Sequence, residues 1–364
     1  MKMSNFLKRI KSVVVKQPEY LEKTIKNSWD VSEEISESLL KKNTSQILLA
    51  GCGDSFLAGI AGKYMFREFS NFSTYAEEAL ELARYTKCSD KTVVIAFSAS
   101  GRTVRTLEAV RKAKDDGAQI VAITNEKDSP IARISNYTIL TKVDDPFGSP
   151  TATSTTAMIA CAALALWIGN RSGFLSDEVF ERFKEEIFSL PLKAQEVMSR
   201  ENMERNMEAA KKFSMCEHVH LTGGGPCYAS ALFGMAKMKE LAWTHSEAVE
   251  LEEFCHYQMF PIEKGIPVVV LAHSGKSFGR ALQVLRVLKE IGAFTYVVSD
   301  EDSDDLCAVS DFLLRVPKLS EVFAPIINII PLHFLAIHLA IEKGITLEGF
   351  RYQSLVTELI GYEN

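Results

Sequence analysis

A short polar loop in the first half of the chain combines three hydroxyl side chains with one glycine. Its members are Ser98, Ser100, Gly101 and Thr103. The apolar, largely β-branched residues 93–97 predict a buried parallel strand before the loop, and residues 104–116 predict a helix after it. Unpaired amide N–H groups, the helix dipole and the hydroxyl donors would all favour an anion there. The pattern predicts a phosphate cradle, although an ordinary Ser/Thr helix cap would use the same residue types.

Other phosphate motifs do not fit this loop. It has no Gly-Lys-Ser/Thr ending, so a P-loop is not indicated, and it has no Gly-x-Gly-x-x-Gly, which weakens a dinucleotide interpretation. No organic cofactor is therefore predicted. No metal is predicted either, because no cluster of His, Asp or Cys has the spacing of metal ligands along the sequence.

A strand, a glycine-rich turn and a helix precede the loop. Residues 47–50 predict the strand and residues 56–69 the helix, which is the usual entry to a doubly wound α/β domain. In the turn, either Asp54 or Ser55 would cap the helix, and Ser55 is also a candidate for contacting a sugar. Residues 77–85 predict a further, acidic helix.

The same pattern starts again in the second half of the chain. Residues 219–226 form another apolar run that ends in a glycine turn, and Ser98 is as far from Gly117 as His273 is from Gly292. The sequence therefore predicts two copies of one α/β unit, each with a parallel sheet flanked by helices. We expect His273, in the loop of the second copy, to be structural.

A second hydroxyl-rich segment lies between the two copies of the polar loop. Six of residues 149–156 are serine or threonine, and a long apolar helix is predicted from about residue 157 to residue 167. Ala152 and Ser154 in this segment could face the same ligand as the loop. A solvated turn with an N-cap explains the segment equally well.

The composition is that of a soluble globular protein. Of the 364 residues, 47% are hydrophobic and 24% are charged, and the net charge of −6 argues against general nucleic-acid binding. Seven scattered cysteines without a Cys-x-x-Cys pair favour reduced thiols. No signal peptide is indicated, and the apolar run at residues 157–168 is too short to span a bilayer. We expect a cytoplasmic protein without a membrane partner.

Three segments together resemble the sugar isomerase (SIS) domain family. They are Gly51-Cys52-Gly53-Asp54-Ser55, the loop 98–103 and Ser154-Thr155-Thr156. Over about residues 30–360 the doubled arrangement is similar to the isomerase half of glucosamine-6-phosphate synthase and its relatives. The resemblance implies an α/β fold of two tandem flavodoxin-like SIS domains, each a three-layer α/β/α sandwich, and a homodimer. The matching residues for substrate and phosphate binding are Ser55, Ser98, Ala99, Ser100, Thr103, Ala152 and Ser154.

The resemblance places the catalytic groups in the second half. Lys237-Met238-Lys239-Glu240 matches the family's Lys-Leu-Lys-Glu helix, which implies that Glu240 is the general base and Lys237 its associated lysine. His256 matches the ring-opening histidine, which in the synthase reaches into the neighbouring subunit's site. The implied reaction moves a proton between C1 and C2 of an open-chain phosphorylated hexose or amino-hexose. From spacing alone, Glu240 and Lys237 would be an ordinary surface ion pair.

This chain departs from the family at two places. Tyr257-Gln258 follows the histidine where the family has Gly-Pro, and Leu355 stands where the synthase has a lysine for the open-chain ketose. No glutaminase domain is expected, because the first SIS unit begins near residue 45. A substrate that already carries nitrogen is therefore favoured: first glucosamine 6-phosphate, deaminated to fructose 6-phosphate, and then a fructosyl-amino-acid 6-phosphate, cleaved by a deglycase. A non-catalytic phosphosugar sensor is the third interpretation.

The expected domain organisation follows from the two copies. It comprises an N-terminal helical arm (1–42), a first SIS domain (43–172), a helical linker (173–213), a second SIS domain (214–346) and a C-terminal tail over the site (347–364). Three glutamates precede His256, and they form either a solvated acidic face or a site for a substrate amine. They are Glu250, Glu252 and Glu253.

Overall fold

The computed structural model describes residues 3–42, 44–145, 151–346 and 348–363. The elements of the first half are α1 (Asn5–Val15), α2 (Gln17–Leu40), β1 (Gln46–Gly51), α3 (Asp54–Phe69), β2 (Ser73–Glu78), α4 (Ala79–Arg84), β3 (Thr92–Phe97), α5 (Val104–Asp115), β4 (Gln119–Thr124), α6 (Pro130–Ile134), β5 (Tyr137–Leu140), α7 (Ala152–Arg171) and α8 (Asp177–Val197).

The second half has a closely similar order of elements. They are α9 (Arg200–Phe213), β6 (His218–Gly223), α10 (Pro226–Ala242), β7 (His245–Glu250), α11 (Leu251–Glu253), a π-helical turn (Phe254–Gln258), β8 (Pro267–Leu271), α12 (Phe278–Ile291), β9 (Phe294–Ser299), α13 (Asp304–Val309), β10 (Phe312–Arg315), a 3-10 turn (Glu321–Phe323), α14 (Ala324–Glu342) and α15 (Gln353–Ile360).

The chain divides into two compact units. The first-sheet unit consists of Lys16–Pro191 and Tyr352–Asn364, and the second-sheet unit consists of Met1–Val15 and Leu192–Arg351. Each unit contains one parallel five-stranded sheet. The orders are β2-β1-β3-β4-β5 in the first sheet and β7-β6-β8-β9-β10 in the second, so the duplicated fold is confirmed.

Both sheets are covered by helices on their two faces. In the first, apolar residues of β1, β3 and β4 pack against α4, α5 and α6, whereas α3 and α7 cover the opposite face. In the second, β8 and β9 pack against α12 and α13, whereas α10 and α14 lie opposite. Inner strands of such a sandwich lose both faces to the core, which explains their continuous Val, Ile and Leu runs. The fold class is that of two α/β/α sandwiches.

Two of the edge strands, β2 and β7, differ from the predictions. Residues 77 and 78 were expected in an acidic helix, but they end strand β2, and helix α4 begins only at Ala79. Strand β7 was not predicted as a strand. Both edge strands are partly exposed and carry charged residues, so the apolar runs that identify inner strands are absent from them.

The long apolar helix α7 begins at Ala152 and not near residue 157. Two of the hydroxyls in its first turns bond back to helix carbonyls: Thr155 Oγ1 to Ala152 O at 3.0 Å and Thr156 Oγ1 to the same oxygen at 2.8 Å. Because these residues satisfy their own polar groups inside the helix, a run that predicts a turn is helical here.

Length does not distinguish two helices of this fold from membrane spans. In the described residues, Ala152–Arg171 and the segment Glu321–Glu342 are both long and apolar enough to cross a bilayer. The prediction that the apolar run at residues 157–168 is too short to span a bilayer was therefore wrong, because the helix that contains it is longer. However, 94% and 100% of their most apolar windows are buried inside the fold. Their composition is thus explained by their position in the core of each sandwich.

The N-terminal arm is helical as predicted, and its two helices pack within this chain. Helix α1 packs on α14, where the Phe6 and Phe350 rings lie 5.3 Å apart in an edge-to-face arrangement. Helix α2 packs on α7, where the Trp29 and Trp167 rings are 5.5 Å apart.

Candidate active site

The polar loop 98–103 follows β3 at the carboxyl edge of the first sheet. Ser98 N–H donates to Ile123 O at 3.1 Å, and Asn125 N–H donates to Ala99 O at 3.0 Å, so the neighbouring strand β4 holds the start of the loop. Gly101 has a φ of +64°, and a Cβ there would lie 2.2 Å from Ser129 Oγ. Only glycine fits this position without displacement of its neighbours.

The hydroxyl groups of this loop do not cap the following helix. Thr103 is the N-cap of α5, but its side chain makes no capping hydrogen bond. Ser98 is 3% exposed, and its Oγ has no hydrogen-bond partner among the described residues. A buried hydroxyl without a partner is unfavourable by itself, and a polar atom from outside the chain would satisfy it. The cap-only interpretation is therefore wrong for Thr103.

The glycine-rich turn after β1 lies at the same sheet edge. The N-cap of α3 is Gly53, without a side-chain hydrogen bond, so neither Asp54 nor Ser55 caps the helix as had been expected. Thr106 Oγ1 donates to Cys52 Sγ at 3.6 Å and links the turn to the helix behind loop 98–103. Burial raises the pKa of the Cys52 thiol to about 11, so it is protonated near neutral pH.

The hydroxyl-rich start of α7 offers two further unpartnered groups. Thr151 Oγ1 and Thr153 Oγ1 are buried without a hydrogen-bond partner in the described part of the chain. Ala152 is completely buried, and Ser154 is 4% exposed and takes part in other interactions. The sequence had pointed to Ala152 and Ser154 and had missed the hydroxyls on either side of Ala152. Residues 149 and 150, the first two of this segment, lie outside the described residues.

The C-terminal tail reaches loop 98–103. Val104 N–H donates to Gly361 O at 3.2 Å, and Glu363 N–H donates to Arg102 O at 2.9 Å. The Arg111 guanidinium holds the Glu363 carboxylate through two hydrogen bonds of 2.7 Å and keeps the pKa of that carboxyl below its usual range. The tail is thereby fixed beside the start of α5.

The corresponding loop of the second sheet is already filled by a carboxylate. Glu321 Oε2 accepts a hydrogen bond from Lys276 N–H at 3.2 Å, and its Oε1 lies 3.4 Å from Ser277 Oγ. A second carboxylate, Asp300, accepts from Ser274 N–H at 2.6 Å. His273 is completely buried and bonds Leu319 O at 3.0 Å, which agrees with the structural role expected for it.

The candidate base and its lysine lie on α10. Lys237 is completely buried, and its Nζ lies 2.6 Å from Glu240 Oε2, whereas the Glu240 side chain is 32% exposed. The pair is therefore not the surface ion pair that spacing alone indicated. A buried ammonium must be paired, so Lys237 fixes Glu240 in place while the carboxylate remains accessible.

A neutral histidine lies near this lysine. His333 on α14 is completely buried, and burial together with the positive charge of Lys237 lowers its pKa well below its usual value. Packing of α10 on α14 therefore places an uncharged histidine, His333, beside Lys237 in this part of the core.

The candidate ring-opening group lies in an unusual helical turn. His256 is in the π-helical turn Phe254–Gln258, its side chain is 66% exposed, and its Nε2 lies 3.6 Å from Glu252 Oε1. Glu252 is also bound by Arg280 at 2.7 and 2.9 Å, which lowers the pKa of Glu252. Short π-helical turns are frequent at functional sites.

Two of the three glutamates before His256, Glu250 and Glu252, have structural partners. Glu250 caps α11 by accepting from Glu252 N–H at 2.8 Å, and Glu78 caps α4 at the corresponding point of the first unit. Together with the Glu252–Arg280 pair, this favours a solvated acidic face over a site for a substrate amine.

The predicted residues thus separate by unit. The hydroxyl and small residues proposed for substrate and phosphate binding all belong to the first-sheet unit, whereas Lys237, Glu240 and His256 belong to the second-sheet unit. Leu355, at the position of the family's C-terminal lysine, lies on α15, and its side chain is 66% exposed.

Both sandwiches match one family model. The SIS domain model matches residues 39–167 and 212–343, so the chain belongs to the SIS domain family.

Curated relatives are similar over most of this chain. It is 32% identical over 337 residues to the glutamine–fructose-6-phosphate aminotransferase (isomerizing) of Pyrococcus horikoshii, with 91% of this chain and 54% of the relative covered. It is 30% identical over 335 residues to the enzyme of the same name from Thermococcus kodakarensis, with the same coverage. The chain therefore spans about half the length of these relatives.

Solved structures have the same fold. The C-terminal domain of glucosamine-fructose-6-phosphate aminotransferase from Francisella tularensis superimposes with a TM-score of 0.84 at 26% identity, over 91% of this chain and 95% of that one. Glucosamine-6-phosphate deaminase from Thermotoga maritima does so with a TM-score of 0.69 at 20% identity, over 93% and 95%. The latter likeness concerns the fold alone.

Proposed function

We propose that this protein is a phosphosugar isomerase that deaminates glucosamine 6-phosphate to fructose 6-phosphate and ammonia. Loop 98–103 and the start of α7 bind the phosphate, Ser55 contacts the sugar, Glu240 is the general base, and His256 opens the ring from the neighbouring subunit of a homodimer. The observation that carries this proposal is the buried Lys237, which holds the accessible carboxylate of Glu240 at 2.6 Å.

The phosphate role is supported by the unpartnered hydroxyls of the first-sheet unit. Ser98, Thr151 and Thr153 each bury an oxygen without a partner among the described residues, and phosphate oxygens accept hydrogen bonds from such donors. The phosphate, distant from the reacting carbons, would orient the open-chain sugar and lower the entropic part of the barrier.

The acid–base steps follow from the substrate. His256 transfers a proton to the ring oxygen as the pyranose opens to the C1 aldehyde. Glu240 takes the proton from C2, the electron pair forms the C1–C2 double bond, and the C1 carbonyl oxygen takes up a proton from water, which gives an enaminol. The proton on Glu240 returns to C1, and the nitrogen releases a proton to water, which leaves an imine at C2. Water adds to that imine, and ammonia leaves, so that one glucosamine 6-phosphate and one water give one fructose 6-phosphate and one ammonia.

Leu355 favours a substrate that already carries nitrogen. A leucine cannot form an imine with a ketose carbonyl, so a reaction that begins from a free ketose would lack that covalent attachment at this position. Both an amino sugar phosphate and a fructosyl-amine phosphate bring their own nitrogen. For this reason a fructosamine-6-phosphate deglycase is the second candidate function.

Turnover of glucosamine 6-phosphate tests the proposal directly. We expect wild-type protein to release ammonia and fructose 6-phosphate, and Glu240→Gln to lower kcat by about 100- to 10,000-fold while the substrate still raises the Tm. Glu290→Gln on α12 is the matched control, because it makes the same change at an exposed carboxylate.

Other outcomes separate the alternatives. If wild-type protein is inactive but glucosamine 6-phosphate raises its Tm, the reaction is wrong, and fructosyl-amine 6-phosphates are assayed next. Ligand binding that is unchanged in Glu240→Gln, with no turnover of either substrate, would indicate a sensor. Neither turnover nor a Tm shift with any hexose phosphate would refute the phosphosugar assignment.

A further inference from the structure

A cluster of potential metal ligands lies at the amino-terminal part of the second sheet. His218 and His220 lie on β6, and Glu247 lies opposite His220 in the register of β6 with β7. Their ligand atoms, one from each side chain, all lie within 4.8 Å of one another. Alternate residues of a strand share a face, and so do directly paired residues, so the three side chains are on one face of the two strands.

The polar atoms of this cluster have few partners. Among the described residues, His218 Nε2 is buried without a hydrogen-bond partner, and His220 is only 7% exposed. No hydrogen bond or ion pair joins the side chain of Glu247 to another residue in the part of the chain that the structure describes. The centroids of the two imidazole rings lie 4.5 Å apart. The ring planes are inclined by 52°, so the rings do not stack face to face. Such groups are costly to bury together unless something else satisfies them.

We propose that His218, His220 and Glu247 bind one zinc ion that joins the edge strand β7 to its inner neighbour β6. Two imidazoles and one carboxylate are a common zinc donor set, with water in the fourth position. A tetrahedral ion with bonds of about 2.1 Å holds its ligands about 3.4 Å apart, so small side-chain rotations close the cluster around it. Since β7 leads into the turn that holds His256, the ion would stabilise the strand in front of that turn.

This site is separate from the proposed reaction. His220 lies three residues before the end of β6, which is about 10 Å along the strand from the carboxyl edge. The zinc site and the proposed activity can therefore succeed or fail independently.

Calorimetric titration of the chelator-treated full chain with zinc chloride tests the proposal, with Co²⁺ absorption as a spectroscopic check. We expect one Zn²⁺ per chain, a higher Tm with zinc, and visible Co²⁺ bands typical of nitrogen and oxygen ligands. His220→Gln and Glu247→Gln should each weaken binding by about tenfold or more. If His220→Gln does not fold, the more peripheral Glu247→Gln still provides the test.

Two matched variants control for other ligands. Glu217→Gln makes the same charge change one residue before His218, and Cys216→Ser removes the thiol nearest in sequence; both should bind zinc as the wild type does. The proposal is overturned if wild-type protein shows no saturable binding, if the ligand variants bind unchanged, or if Cys216→Ser abolishes binding.

Discussion

The two polar loops at the carboxyl edges of the two sheets follow equivalent strands, but they differ in whether a carboxylate of the chain is bound there. In the first-sheet unit, loop 98–103 contains a buried hydroxyl, Ser98 Oγ, without a partner among the described residues. In the second-sheet unit, the carboxylate of Glu321 already accepts from Lys276 N–H, and Asp300 accepts from Ser274 N–H. A carboxylate of the chain itself accepts the hydrogen bonds of the second loop, whereas no carboxylate is bonded to the Ser98 hydroxyl of the first loop among the described residues.

This difference shows how a duplicated fold can keep one binding loop and convert the other to a structural one. Strand-to-helix loops favour negative charge wherever they occur, because amide N–H groups and the helix dipole point at them. A carboxylate supplied by the chain satisfies that preference permanently. Folding stability should therefore depend on the anion of the second loop, and ligand binding on the donors of the first.

The largest expected effect comes from adding one methyl group to each loop. At Gly101, with its φ of +64°, a Cβ would lie 2.2 Å from Ser129 Oγ, so Gly101→Ala should lower the free energy of unfolding by about 3 kcal/mol and abolish phosphosugar binding. At Gly275 the Cβ would lie 2.4 Å from Glu321 Cδ, so Gly275→Ala should displace that carboxylate and lower the free energy of unfolding, but it should leave phosphosugar binding intact. Urea unfolding measures stability and calorimetry measures binding; equal effects of the two variants on binding would contradict the contrast.

Removal of one hydroxyl from each loop should separate binding from stability. Ser98→Ala should raise the Kd for glucosamine 6-phosphate about 10- to 100-fold, since hydrogen bonds to charged groups contribute about 1.5–3 kcal/mol. Ser274→Ala should leave this Kd unchanged and lower the free energy of unfolding by about 1 kcal/mol, because Asp300 loses a hydroxyl donor at 2.5 Å. A Kd that responds to Ser274→Ala and not to Ser98→Ala would reverse the roles assigned to the loops.

The smallest expected effect is the loss of folding stability at acidic pH. Asn136 Oδ1 accepts from Ile120 N–H at 2.8 Å in the first sheet, and Asp311 Oδ2 accepts from Thr295 N–H at 2.9 Å at the matching point of the second. Burial alone would raise the pKa of Asp311, but the Thr295 N–H and the Lys289 ammonium outweigh it and lower that pKa below 3.8.

Asp311 therefore adds stability that is fully present above pH 3.8 and is lost as the pH falls through its lowered pKa. The stability difference between wild type and Asp311→Asn, measured by urea unfolding, should shrink between about pH 5 and about pH 3. Asn136→Asp is the matched change in the first sheet and should add acid sensitivity. A wild-type to Asp311→Asn difference that is constant over this range would contradict the prediction.

Inner strands and loops could be predicted from the sequence because their signals are local. The apolar run 93–97 is buried on both faces of the first sheet, so its composition alone predicts a strand, and the polar loop follows directly. Edge strand β7, with the sequence His-Ser-Glu-Ala-Val-Glu, is half exposed and has no such run. Its pairing is decided by tertiary contacts.

Charge placement could not be predicted in the same way. Nothing near Lys237 in the sequence indicates that packing of α10 on α14 buries it completely. Glu321 accepts a hydrogen bond in a loop that lies more than forty residues before it in the sequence. That contact depends on the path of the chain after β10. The His218-x-His220 pattern was present in the sequence, but only the register with β7 brings Glu247 to it. The local spacing of residues carries no information about long-range pairings of this kind.

The antiparallel pairing of the tail with loop 98–103 has a practical consequence for protein engineering. Tyr362 forms an antiparallel β-bridge with Thr103. Glu363 N–H donates to Arg102 O, and the Arg102 guanidinium donates to Glu363 O. Because Glu363 pairs with this loop, we expect a sequence fused to the carboxyl end of the chain to compete with the ligand for space at the proposed phosphate loop. Affinity tags and fluorescent labels should therefore not be attached at the carboxyl terminus.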